Sequence, residues 1–327
     1  MHLPRERGPI SRRVIEMLTS EIAQREPMAL GSGPMIEDGD AQLALWMLYE
    51  LHYRGFDEVP DDREWDPGLL GLRRRLERRL ERELREGVRP RLEALSAGDD
   101  VAEQMETLLA ADDSPSPAAY LQRSATLEQL LDFLRERSVQ QLKESDPEAF
   151  VLPRLSGRAK VALAEVLYDE FGAGRPERLH QQMYAEALDA AGLDSSYGAY
   201  VDDVSALSLA SANLVSFFGL HRRLRGAAMG HFAAFEATSS VPSRRIAAGL
   251  ERVGLPDTVA AYFLEHVEAD AVHEQVALRD ICESLVSEQP ALRPDVLFGA
   301  ACCVHLAGLS ARELVERWAA PNLDEAS

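Results

Sequence analysis

The sequence predicts an all-α protein. Apolar residues recur at helical spacing through most of the chain, and no stretch alternates with the two-residue period of a strand. Leu, Ala, Arg and Glu dominate while aromatic residues make up only 6%, a balance that favours helix over sheet. The breaks between periodic segments carry Gly, Pro, Asp or Ser. With 327 residues, the chain is long enough for two domains or one large helical unit with an extension.

Residues 1–9 read as a tail. Helical patterns follow at 10–24 and 39–54, and an acidic loop at 56–67 ends in Trp65-Asp66-Pro67. The run from Leu72 to Arg91 is rich in Arg and Glu and locally basic. Its i,i+4 pairs Arg73/Glu77, Arg79/Glu83 and Glu81/Arg85 predict a salt-bridged helix rather than a basic docking surface. Asp112-Asp-Ser-Pro-Ser-Pro117 is the clearest loop, which divides an N-terminal helical extension (1–117) from a core (118–327). In the core, helices are expected at 124–143, 157–171, 176–192, 203–219, 221–238, 243–252, 256–287 and 292–318. Their breaks fall at Gly172-Ala-Gly174, Gly192–Gly198 and Ser239-Ser-Val-Pro242, and no internal repeat is visible.

Composition excludes several classes. A formal net charge of -20 repels phosphate backbones, so no nucleic-acid partner is expected. Three cysteines, Cys282, Cys302 and Cys303, make neither a disulfide framework nor a CxxC metal site. They suit a reducing cytosol, hence a cytoplasmic protein. The N-terminus lacks the apolar region of a signal peptide. The most apolar stretch, Val296 to Val304, is short for a bilayer crossing, so no membrane partner is expected.

The chemistry concentrates in His266-Val-Glu-Ala-Asp270-Ala-Val-His273. With steps of about 100° per residue on a helix, His266, Asp270 and His273 share one stripe. Two imidazoles and a carboxylate so placed suit iron, manganese or zinc; the plainer alternative is a charged outer face. Phe263, Val267 and Ala271 lie close to the same side, which places the stripe at the interior, where such groups need a shared partner. One helix supplies half of a two-metal site. Glu236, among Phe232, Ala233, Phe235 and Ala237, is either a further ligand or an exposed acid. Asp169-Glu170-Phe-Gly-Ala-Gly174 leads to Glu177 and His180, and a Glu-x-x-His pair there would parallel the carboxylate pattern of two-metal bundles. His221, His231, His52, Trp46, Trp65 and the cysteines read as structural. Gly226-x-x-x-Gly230 permits either close helix approach or simply tight packing.

From Pro153 to Glu274 the chain resembles the iron-containing redox enzymes of the haem-oxygenase-like diiron oxidase and oxygenase superfamily. The resemblance rests on Pro153-Arg-Leu-Ser-Gly-Arg-Ala-Lys, Asp169-Glu-Phe-Gly-x-Gly with His180, Phe235-Glu-x-Thr-Ser-Ser and Glu265-His-Val-Glu-Ala-Asp-Ala-Val-His-Glu. It implies a haem-oxygenase-like seven-helix bundle and two Fe(II)/Fe(III) ions held by Glu170, His180, Glu236, His266, Asp270 and His273. One departure is the ten-residue spacing of Glu170 and His180. On an unbroken helix it leaves them roughly 80° apart, so the Gly172/Gly174 kink must re-aim one of them, and Glu177 stands as a rival. The implied activity is a non-haem diiron oxidase or oxygenase acting with dioxygen on a small-molecule substrate, an amine, amino acid or acyl compound. An external electron donor and a homodimer are left open. The alternatives are a haem-binding or cofactor-independent oxidase of the same fold, or a non-enzymatic helical interaction protein.

Overall fold

The computed structural model describes residues 1–20, 30–31, 33–96, 98 and 100–320, with the backbone alone at 268–272. Among these residues there is helix and no strand. Four helices precede the Ser-Pro loop: α1 (Pro9–Thr19), α2 (Gly39–Glu50), α3 (Pro67–Glu93) and α4 (Val101–Ala110). After it come α5 (Pro117–Arg123), α6 (Leu127–Gln141), α7 (Asp146–Ala149), α8 (Gly157–Glu170), α9 (His180–Ala190) and α10 (Ala206–Leu220). Last come α11 (Arg225–Arg252), α12 (Asp257–Gln275), a π-helical stretch (Val276–Glu283), α13 (Ser284–Glu288) and α14 (Arg293–Ala319). Of the helix expected at 10–24, positions 21–24 lie outside the described residues.

Local sequence accounts for most helix starts. Asp38 caps α2 through Asp40 and Ala41 N–H, Asp66 caps α3 ahead of Pro67, and Thr126 with Gln129 forms a capping box on α6. Asp40 reaches across to accept from Ile10 and Ser11 N–H at 2.8 and 2.7 Å, which ties α1 to α2. On α3, Leu69, Leu72, Leu76, Leu80, Leu84 and Val88 are buried, while Arg74, Arg75, Arg78, Arg82, Arg85 and Arg89 are exposed. Arg73–Glu77 (3.3 Å) and Arg85–Glu81 (2.9 Å) pair as their spacing predicts. Glu83 instead accepts from Met35 and Ile36 N–H. Trp65 is exposed rather than packed in the core.

One apolar core joins α2, α3, α10, α11 and α14, through Trp46, Leu76, Leu84, Phe217, Phe232 and Phe298. A second, through Phe133, Leu134, Tyr184, Leu250, Phe263 and Trp318, lies among α6, α9, α11, α12 and the end of α14. Helix α11 contributes to both. It also runs straight through Pro242, where a break was expected. Proline removes one helical donor, but Thr238 and Val241 are exposed there, so the freed carbonyl can meet water, and burial on either side carries the helix across.

Helices α11 and α14 touch backbone to backbone. A Cβ at Gly230 would lie 1.9 Å from Val296 O, and one at Gly299 1.9 Å from Ala227 O. The Gly226-x-x-x-Gly230 spacing therefore serves close helix approach. By length and composition α14 is apolar enough to cross a membrane. Here Val296, Phe298, Ala300, Ala301 and Cys302 spend that apolarity inside the bundle.

Polar contacts also join residues before and after the Ser-Pro loop. Glu50 at the end of α2 and Lys143 just after α6 form an ion pair at 2.5 Å, with both side chains at 1% exposure or less. Tyr197 O–H donates to the other Glu50 oxygen at 2.7 Å. Arg54 lies over the Tyr197 ring and donates to Leu142 O and Gln181 Oε1. Gln181 in turn donates to Glu144 O. Residues 142–144 are thus held from both sides.

Candidate metal centre

Helix α8 ends at Glu170, and the chain turns through three successive positive φ values at Gly172 (80°), Ala173 (52°) and Gly174 (80°) before α9 begins at His180. At Gly172 a side chain would strike the Leu179 and Arg178 backbone, so only glycine lets the reversal close. The kink folds α9 back so that His180 Nδ1 lies 3.0 Å from Glu170 Oε2. Glu177 is exposed in the intervening turn, so Glu170 is the carboxylate that faces the histidines.

Helix α12 runs alongside and presents His266 and His273, both buried. His266 Nδ1 lies 2.8 Å from Tyr262 O. A carbonyl only accepts, so Nδ1 carries a proton, and Nε2 is the nitrogen turned toward the cavity, 3.5 Å from Glu144 Oε2. His273 Nδ1 faces Glu170 Oε1 at 3.6 Å and Glu236 Oε2 at 3.5 Å, while its Nε2 lies 3.4 Å from Asp169. The Asp270 side chain lies outside the described residues. Immediately after this face the helix widens into the π-helical stretch Val276–Glu283, where one continuous α-helix was expected. Such bulges often accompany functional sites.

Glu144 completes the cluster and was not among the residues the sequence singled out. It stands in the turn between α6 and α7 rather than on a helix face, so no periodicity marks it. One donor atom each from Glu144, Glu170, His180 and His266 all lie within 4.8 Å of one another. The neighbouring Ser145, held at φ 68°, donates to Glu170 Oε2 at 3.0 Å. Gln141 and the Tyr262 hydroxyl donate to the two Glu144 oxygens at 2.8 and 2.7 Å.

Charge in the cluster is finely opposed. Burial raises the Glu144 carboxyl, but His266, His180 and the Tyr262 hydroxyl outweigh it and bring it well below the usual range. Burial pushes Glu236 up, against the pull of His273. His273 would be lowered by burial, yet Glu236, Glu170 and Asp169 lift it to about 9. His180 Nδ1, His273 Nδ1 and Glu236 Oε2 are buried without a properly directed hydrogen bond among the described residues. Orphaned donors and acceptors of this kind, all facing one small space, fit a hard or borderline cation.

The arrangement divides in two about Glu170. Its Oε2 faces His180 in the set with Glu144 and His266, and its Oε1 faces His273 beside Glu236. The cluster opens on a small pocket lined also by Glu148, His231, Phe232 and Phe235.

His231 carries no charge at neutral pH, because burial depresses its pKa to about 4. An unfolded histidine protonates near pH 6.5, so acidification favours the unfolded chain. Between pH 6.5 and 4 this one group should cost the fold up to about 3 kcal/mol, and it adds no pH dependence above that window. His231→Leu should accordingly lose less stability than the natural chain between pH 7 and 4.5 in urea denaturation. Equal losses would refute the assignment.

An all-helical bundle with imidazoles and carboxylates gathered from four helices and a turn defines a class, the helical metalloproteins. The chain is more specifically placed by residues 131–308, over half its length, which match the family of iron-containing redox enzymes; it belongs to that family. Among solved structures it is similar to a CADD-like protein of unknown function from Nostoc punctiforme, at 17% identity and a TM-score of 0.52. That match covers 67% of this chain and 97% of the other. The fold is therefore haem-oxygenase-like. No curated protein matches the chain.

Proposed function

We propose that this protein is a non-haem diiron oxidase or oxygenase that uses dioxygen to oxidise a small-molecule substrate. Glu170 carries the reading, because its two oxygens face two separate donor sets, as a carboxylate shared between two ions would. In this reading Glu144, Glu170, His180 and His266 would hold one iron, and Glu170, Glu236 and His273 would hold the other, with Asp270 assigned to the set by the sequence resemblance alone. Sites built from carboxylates and imidazoles with open positions supply one- and two-electron chemistry with dioxygen when iron is bound.

The chain's own residues set the conditions. Tyr262 O fixes the His266 tautomer, while Gln141, Ser145 and the Tyr262 hydroxyl orient Glu144 and Glu170. Phe232, Phe235, Pro147 and Val215 wall the pocket and keep bulk water away. The Tyr262 hydroxyl, pushed up by burial and by Glu144, keeps its proton and donates it in a hydrogen bond to Glu144 Oε2 at 2.7 Å. Anaerobic titration with ferrous salt should saturate at two ions per chain, with a transient visible absorption on admitting air. Saturation at one ion, or none, would remove the diiron reading.

A further inference from the structure

The outward arginines of α3 serve neither the metal cluster nor the apolar core. At about 100° per residue, Arg74, Arg78, Arg82, Arg85 and Arg89 fall within a stripe about 80° wide and about 22 Å long, opposite the buried leucines. All five are exposed. The i,i+4 pairs in the sequence predict a salt-bridged helix, and Arg85 does pair with Glu81 at 2.9 Å. Arg74, Arg78, Arg82 and Arg89, by contrast, have no carboxylate partner among the described residues. Arg74/Arg78, Arg78/Arg82 and Arg85/Arg89 are like charges at i,i+4, a spacing that weakens a helix. Arg223, which grips Glu81 at 3.0 and 2.7 Å, extends the patch from the turn before α11. The nearest acids on the helix are Glu81, held between two arginines, and the exposed Glu86. A chain of net charge -20 thus concentrates positive charge on one face.

Beneath this face a file of rings leads to the pocket. The Arg85 guanidinium lies 4.2 Å over the Phe298 ring. Phe298 is 5.8 Å from Phe218, and Phe218 is 6.1 Å from His231, centroid to centroid. His231 lines the pocket together with Glu144, Glu170, Glu236 and His266. A molecule docked against Arg85 therefore faces the cluster through three packed rings.

We propose that the arginine stripe of α3 is the docking surface for an acidic electron-carrier protein that reduces the iron centre. The proposal takes from the diiron reading only the need for electrons. Two electrons, passed one at a time, convert two ferric ions to ferrous and leave two one-electron carriers oxidised, with no covalent bond made or broken. Charge and shape choose among anionic partners. A long nucleic acid or a membrane would extend past the stripe onto the acidic remainder of the chain, which repels it. Helix α3 also carries no exposed large apolar residue, among the described residues, to enter a bilayer. A compact acidic protein can match the stripe alone, and the surrounding negative charge then steers it to that face.

The test is titration calorimetry of the iron-loaded chain with three anionic probes: an acidic plant-type ferredoxin, duplex RNA and phosphatidylserine vesicles. Ferredoxin should bind most tightly at about 0.01 M salt and at least tenfold more weakly at about 1 M, where charges are screened. The combined variant Arg74→Gln, Arg78→Gln, Arg82→Gln and Arg89→Gln should lose at least tenfold in ferredoxin affinity. Its rate of reduction by ferredoxin in stopped flow should fall as far, with iron count, helicity and reduction by dithionite unchanged. Absent ferredoxin binding, or an affinity or a reduction rate untouched by the substitutions, would overturn the docking surface. Tighter binding of RNA or vesicles would do the same. Ferredoxin binding that depends on these arginines, in a chain that takes up no iron, would retain the acidic-partner surface and discard the diiron reading. Two bound irons with ferredoxin affinity unchanged in the variant would keep that reading and discard the surface.

Discussion

His266→Ala removes high-affinity iron from the Glu144/His180 side of the cluster, and the loss should be at least about 100-fold in affinity. Changing a partner that merely orients a ligand costs 10–100-fold, so deleting the ligand itself costs more. His266 Nε2 faces Glu144, and its ring packs 4.5 Å from that of His180. His273→Ala should weaken the other ion, because that ring faces Glu236 and Glu170. Each single variant should retain one ferrous ion per chain after desalting, and the double variant none. Helicity by circular dichroism should be unchanged in all three. Two ions retained in either single variant would contradict the two-sided arrangement about Glu170.

Gly230→Ala should unfold the protein or cost it about 5 kcal/mol, at the extreme of single-substitution effects. The added methyl would sit 1.9 Å from a backbone carbonyl oxygen on α14 and 2.7 Å from the carbonyl carbon. Backbone cannot rotate aside as a side chain can, so the two helices must separate and loosen the packing around Phe232 and Phe298. Gly254→Ala supplies the contrast. That glycine has a positive φ of 79° but open space around it, so its cost should be about 1 kcal/mol, from backbone strain alone. Thermal unfolding of both variants checks the ranking, and a Gly230→Ala protein with the natural Tm would show that α11 and α14 do not touch as described.

Part of this candidate centre was legible in the sequence because α12 carries two of its imidazoles at helical spacing. His266 and His273 needed only the periodicity of their own helix to be read as neighbours. Glu170 and His180 were harder, since ten residues and a chain reversal separate them, and the glycines at 172 and 174 were the trace of that reversal. Glu144 left no such trace. It lies in a polar turn of the kind that is usually solvated, and its burial depends on α9, α12 and the distant Arg54. Pro242 failed as a stop signal because local propensity yields where both flanks of a helix are buried. The π-helical widening after His273 has no sequence signature at all.

Helix α2 has a consequence for how the chain is made. Ten successive residues, Ala41–Glu50, are buried, so the helix has no face suited to water on its own. Several of its partners, including Asn213 and Phe217, belong to α10, which starts at Ala206. More than 150 residues must leave the ribosome in the interval, roughly 8 to 30 s at ordinary synthesis rates. During that time an apolar helix and an acid destined for a lysine far downstream are without their native surroundings. Helix α2 is thus made well before the residues of α10 that help bury it, and its packing is completed only when they arrive.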